Sequence, residues 1–597
     1  MARRLGEQTA VGLVIDAEGI ARFRRQLEQP WLARLWRRFL AFCDEPQSTA
    51  SPADLAFAAV ITGDPVRQAA AVAATEREAR LSAAAWVHPE AGCMTLTGMH
   101  RAYALCLAVD WLWPVLIADQ RQAILGSIIA HGIENLQPMP DGIRDAGDGL
   151  GRLLIARRLD RDDAFCLHPL DAQVNNWDLW FACGLYMAAA LAERAWLQPA
   201  PGEPTLAWGL TSDPGYSLDT ARIDRWRAIA RERMDTALAN QVGPDGDYGE
   251  GVNYAAYGGE ALAVCLTMRL RLEGDDLYGP QVLAMPHWLR DQLAADPEFG
   301  VFNFNDARSE WRPAGALIAH ITAQSRDPLH AGILHETLEH RDVAPHVLTF
   351  TALDTDIAAA PVSVRPQSLY ARTGQYIRRD GDGRRARILA AQCGTHGGAH
   401  QHRDRGGFWL AAHGQRLLVD TGDCRYSKPP YPDFAETIAH NCILIDGRGQ
   451  IGDNAAPVHG SVRQHQRTAD GESITFDASA CYDGIGEYLR EFQVQPERIR
   501  IIDTVRFGDA AGAHSLTWLA QGYNADGRGY WTVTGATAVF HRPGVELHIT
   551  FHAPPSSIRI DAAPLDGEPG GILRLAATHS GSRIETDLRI VAADEAI

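Results

Sequence analysis

The sequence predicts a large helical domain followed by a large antiparallel β domain, and three observations lead there. The 597 residues are 46% apolar and 22% charged, ordinary proportions for a globular chain that buries a sizeable core. Apolar residues recur at helical spacing through the first three-fifths of the chain. Beyond Pro361 the pattern turns to short β-rich runs bounded by Gly, Asp and Asn.

In chain order, the stretch 20–42 places Phe23, Leu27, Trp31, Leu35 and Phe39 close to a helical period, and Pro30 splits it into two helices. Similar helical stretches are expected at 66–86, 99–136, 177–196, 223–241 and 257–272. Several are apolar nearly all round, so a layered helical array with buried inner helices is expected. Strands are expected at 407–412, 416–419, 441–445, 498–505, 546–552 and 583–591, with His413-Gly414-Gln415 turning a hairpin. Many antiparallel strands without intervening helices point to a β-sandwich. The join falls around 340–365, giving a helical domain over 1–345 and a β domain over 346–597.

The charge balance narrows the partners. Fifty-six basic against 74 acidic side chains give a net charge of −18, which argues against nucleic acid. Lys428 is the single lysine, so 55 of the 56 basic residues are arginine. A GC-rich genome accounts for that bias, although guanidinium forks also suit carboxylates and sulfates. The ten cysteines are scattered without a CxxC pair, which fits a reducing compartment and neither a disulfide framework nor a cysteine zinc site. Asp16, Glu18 and Arg22 come too early for a signal peptide, so the expected location is cytoplasmic, or periplasmic if a leader has been removed. The most apolar stretch, 102–118, is broken by Asp110 and Pro114, and no membrane span is expected.

Three segments could carry chemistry. Asn175-Asn176-Trp177 opens a helix, where an Asn is either an N-cap or an amide donor to a substrate carboxylate. The stretch from Pro244 to Gly258 combines Tyr248, Tyr254 and Tyr257 with four glycines; a phenol in a cleft can give or take a proton, and aromatic packing under a loop is the competing reading. The third segment holds His400, His402, Asp404, Asp420 and His440. His402, Asp420 and His440 offer two imidazoles and a carboxylate, a fair zinc set, against hydrogen-bonded structural histidines. Asp306-Ala307-Arg308 and Arg425-Tyr426 are read as cleft-lining, with ordinary salt bridges as the alternative.

Together these segments resemble the heparinase II/III-like superfamily of polysaccharide lyases. The resemblance rests on Asn175-Asn176-Trp177, on Asp245-Gly246 through Glu250-Gly251 to Tyr254 and Tyr257, and on His400-x-His402-x-Asp404, Leu418-Val419-Asp420 and His440-Asn441. It implies an N-terminal incomplete (α/α) toroid followed by a C-terminal antiparallel β-sandwich. It further implies β-elimination on a uronate-containing acidic polysaccharide or oligosaccharide. By the same resemblance Asn176, helped by Asn175, contacts the uronate carboxylate. Tyr254 is the general acid, and also the base if His400 does not take that part. His402, Asp420 and His440 match the zinc ligands of several members, with the metal bracing the structure near the active site. Trp177, Tyr257, Arg308 and Arg425 are expected to bind substrate. Some relatives carry His where this chain has Trp177, which leaves the neutralising group open. A zinc-dependent hydrolase and a non-catalytic acidic-glycan-binding protein are the alternatives, and a homo-oligomer is compatible with the sequence without being specified by it.

Overall fold

The computed structural model describes residues 10–45, 47–86, 96–133, 155–156, 165–166, 176–199, 218–293, 300–309, 314–339, 346–381, 383–396, 400–423, 433–452, 457–468, 471–508 and 513–592. The chain divides into two compact units. The first comprises 1–240, 256–283 and 314–362; the second comprises 241–255, 284–313 and 363–597. The division therefore differs from a single cut at 345/346. Two segments that precede the β-strands in sequence go with the second unit, and the helix Val347–Ala352 goes with the first.

The first unit is helical. Pro30 occupies the first turn of the helix Pro30–Asp44, after Ala17–Gln26, because a ring that lacks an N–H costs nothing there. The expected helix at 99–136 is two, Leu96–Leu112 and Ala118–Ser127, since Pro114 cannot supply a helical hydrogen bond. Helices Pro52–Thr62 and Gly315–Ser325 bury most of their side chains, as a helix packed on several sides does. Among the described residues no helix is long and apolar enough to cross a membrane.

The second unit is built on two antiparallel sheets. One runs in the order Ser461–Thr468, Gly471–Asp477, Ile485–Val494, Ile499–Phe507, Arg583–Ala592, Val545–Phe551, Thr537–Arg542, Tyr530–Thr534. Its strands alternate buried and open positions, and Phe476, Phe492, Ile501, Phe540 and Leu547 meet Phe408, Leu410, Trp518 and Leu575 of the other sheet in one core. In that second sheet Gly407–Ala412 lies between Arg387–Gln392 and Gln415–Leu418. His413 and Gly414 both take positive φ, 51° and 71°, and join Ala412 to Gln415 in a two-residue hairpin turn.

Sheet register brings three loop ends together. Gly407 pairs with Gln392, and Leu410 pairs with Leu418, so the start of Gly407–Ala412 lies beside the end of Gln415–Leu418. Ser515–Tyr523 pairs with both Gln415–Leu418 and Ile443–Ile445. His402, Asp420 and His440 sit just outside these neighbouring ends.

A buried arginine fastens the same loops. Arg490 and Asp503 are both fully buried and form a two-pronged ion pair at 2.7 and 3.1 Å. The free edge of the guanidinium donates to Gly406 O at 2.9 Å and Asn441 O at 2.7 Å. Arg490→Met leaves Asp503 without its counter-charge and should cost about 3–5 kcal/mol. Urea unfolding of the variant beside the parent checks this; a loss below about 1 kcal/mol contradicts it.

Candidate active site

Tyr254 stands in the first turn of the helix Val252–Met268, and the chain reaches that turn through a tightly held loop. Gly246 has φ 81°, and a Cβ there would sit 2.4 Å from the Ala284 carbonyl carbon, so only glycine fits. The Asp247 carboxylate accepts from the Thr373 N–H at 2.7 Å and its hydroxyl at 2.9 Å. Asn253, one residue before Tyr254, donates its side-chain amide to Asp306 O at 2.9 Å. Gln401 donates to Gly249 O at 2.6 Å from the histidine segment. Tyr254 and His400 consequently stack, ring centroids 3.5 Å apart and planes 8° from parallel.

His400 and His402 lie in a loop, not on a strand. His400 adopts φ 67°, and Asn305 on the facing segment adopts φ 62°. Left-handed backbone is costly for such residues and persists where surrounding contacts enforce it. Here the Asp306 N–H donates to His400 O at 3.1 Å. The Asp306 carboxylate accepts from His400 Nδ1 and His402 Nε2, each at 2.9 Å. Burial alone would raise the Asp306 acid, but the two imidazole hydrogen bonds and their charge outweigh it and hold the carboxyl well below the usual carboxylate range. Burial likewise opposes charge on His402, and the bond to Asp306 prevails and raises it.

His402, Asp420 and His440 are all buried, and one candidate ligand atom from each lies within 4.8 Å of the others. His440 Nδ1 donates to Asp420 Oδ2 at 2.9 Å. Asn303 holds Asp420 O at 2.8 Å, and the Gln521 side chain holds His440 O at 3.2 Å. Nδ1 of His402 and Nε2 of His440 are buried and take no hydrogen bond. Two partnerless imidazole nitrogens beside a buried carboxylate fit a divalent metal, whose binding would displace any proton from them.

The remaining expected residues fall elsewhere. Asn176 is fully buried in the first turn of Asn176–Ala192, and Trp177 is half-buried; both belong to the first unit. Asn175 and Arg425 lie outside the described residues. Tyr257 belongs to the first unit, where its hydroxyl meets His100 Nε2 at 2.7 Å and its ring packs on Trp180. Burial pushes that His100 down to about 4. Tyr248 is fully buried. Arg308 pairs with Asp423 at 3.0 Å, the salt-bridge reading of that residue. Asp404 binds Arg405 and Gln392 within the core. A groove lined by Arg378, Arg387, Arg467, Arg498 and Arg589 also exists, but Asp380 and Glu472 pair with Arg378, and Asp380 also with Arg387. Sequence reasoning missed the roles of Asp306 and His100, because no local pattern ties either to its partner.

Residues 364–588 match the family model described as Heparinase II/III-like, C-terminal. No curated protein sequence matches the chain. Among solved structures, a heparinase III is 14% identical, with 92% of this chain and 79% of that one covered at a TM-score of 0.56. The heparan sulfate lyase HepC from Pedobacter heparinus is 14% identical over 95% of this chain and 78% of its own, with a TM-score of 0.55. A heparinase III encoded by BT4657 is 12% identical over 91% and 76%, again at 0.55. At such identities the likeness establishes the fold. Residues 364–588 thus match the heparinase II/III-like C-terminal domain, and the chain has the fold of these solved lyases, a helical region followed by an antiparallel β-sandwich.

Proposed function

We propose that the protein is a polysaccharide lyase that cleaves a uronate-containing acidic polysaccharide or oligosaccharide by β-elimination. The observation that carries this reading is the stacked Tyr254–His400 pair, with His400 Nδ1 engaged by a buried carboxylate. The names of the similar structures, heparinase III and heparan sulfate lyase, support an acidic glycan as substrate.

In this reaction the C5 proton of a uronic acid leaves and the 4-O-glycosidic bond breaks, which produces an unsaturated uronate at the new non-reducing end. The proton is poorly acidic while the neighbouring carboxylate carries its charge. A donor to that carboxylate stabilises the enolate-like charge, and Asn176 is proposed for this on its motif. With Nδ1 engaged by Asp306, His400 would accept the C5 proton at Nε2. Tyr254 would protonate the leaving oxygen. Trp177, Tyr257, Arg308 and the flanking Asn175 and Arg425 are proposed for substrate binding, with Arg308 exchanging its Asp423 partner for a sugar anion. His402, Asp420 and His440 would hold zinc, whose charge would brace the loops around His400, because elimination consumes no water.

Incubation with alginate, glycosaminoglycans, glucuronan and gellan-type polymers, with zinc present, should generate the ultraviolet absorbance of an unsaturated uronate. Silence across that panel contradicts the proposal. The buried His402–Asp420–His440 set supports one second reading, a hydrolase whose metal holds a nucleophilic water. Its products would lack the double bond.

A further inference from the structure

We propose that Asp306 is a positioning residue that ties the proton-transfer histidine to the metal centre, with His400 Nδ1 on one carboxylate oxygen and His402 Nε2 on the other. This rests on the lyase reading for the role of His400, and on the geometry alone for the link.

Each oxygen of Asp306 takes one ring at 2.9 Å, and the carboxylate comes from a segment 94 residues away from His400. An ionised carboxylate accepts only, so it selects the tautomer of both rings. His400 then carries a proton on Nδ1, the nitrogen that faces Asp306. His402 then carries a proton on Nε2, and its other ring nitrogen, the buried Nδ1, has no hydrogen-bond partner. One anion therefore specifies opposite tautomers on two histidines two residues apart.

The backbone is fastened in the same place. Asp306 N–H binds His400 O, and Asn253 binds Asp306 O just ahead of Tyr254. Asp306 thus touches His400 and His402 directly, and through Asn253 the start of the helix that bears Tyr254. Partners of metal-bound histidines commonly contribute about 10–100-fold to affinity or activity. Asp306 would exert both effects, because one carboxylate serves a metal ligand and a proton-transfer group together.

Asp306→Asn keeps the shape and can accept from only one ring. The variant should lose about 10–100-fold in kcat with KM within about twofold, and about 10–100-fold in zinc affinity measured by competition with a chromophoric chelator. Asp306→Glu should recover part of the zinc affinity. Nitrogen NMR of histidine-labelled wild-type protein, which needs no variant, should show Nδ1-protonated His400 and Nε2-protonated His402. The reverse tautomers, or wild-type zinc affinity in Asp306→Asn, overturn the proposal. Should the wild-type protein show no lyase turnover, the lyase reading fails, and the zinc and tautomer measurements still decide the role of Asp306.

Discussion

Tyr254→Phe should lower turnover by about 10²–10⁴-fold while the melting temperature stays within a degree or two of the parent, roughly the span of a sub-kilocalorie change in a large domain. The phenyl ring keeps the stacking on His400 and the helix position, so the loss isolates the hydroxyl that would protonate the leaving oxygen. KM should move little, because the proton is transferred only as the glycosidic bond breaks. A uronate with a good leaving group on C4, such as fluoride or an aryl ether, should recover much of the rate, since its departure needs less protonation. Full turnover in Tyr254→Phe removes Tyr254 from the mechanism. Neighbouring Tyr248 offers no ready replacement, being fully buried.

Removing the zinc proposed at His402, Asp420 and His440 should act on stability as well as on rate. A ligand that binds only the folded state contributes about 2.7 kcal/mol when present at a hundred times its dissociation constant. Chelation should therefore lower the melting temperature, and zinc should restore it. His440→Ala should show the lowered value with or without zinc, because it deletes a buried ligand whose Nε2 has no protein partner. Loss of turnover with an unchanged melting temperature contradicts a bracing metal and favours the hydrolytic reading.

Much of this was legible in the sequence, and the reasons differ from element to element. Pro30 marked a helix start because its ring suits only that place, and the structure puts it in the first turn of Pro30–Asp44. The hairpin expected at His413-Gly414-Gln415 turns on His413 and Gly414 alone, both at positive φ, and Gln415 already pairs with Ala412. The helices Pro52–Thr62 and Gly315–Ser325 left no amphipathic stripe, because most of their side chains are buried. The strand at 441–445 came out as Ile443–Ile445, since Asn441 turns its side chain onto Phe408 O and Val419 O to hold the loop.

At the site, His400, His402, Asp420 and His440 stood out as a set of chemically capable residues, and Tyr254 through its motif. Asp306 did not. Its two histidines lie 94 and 96 residues further along, and periodicity carries no information over such distances. The division of the chain was hidden for the same reason. Segments 241–255 and 284–313 join the β-rich unit through contacts such as Asp247 with Thr373 and Asp306 with His400, which local composition does not record.

Product analysis in heavy-oxygen water tests the central claim most directly. Digestion of an acidic polysaccharide that the protein cleaves should release internal fragments one water lighter than hydrolysis products, with an unsaturated uronate at their new non-reducing ends and no solvent oxygen. Fragments of full hydrolytic mass that carry solvent oxygen would contradict β-elimination.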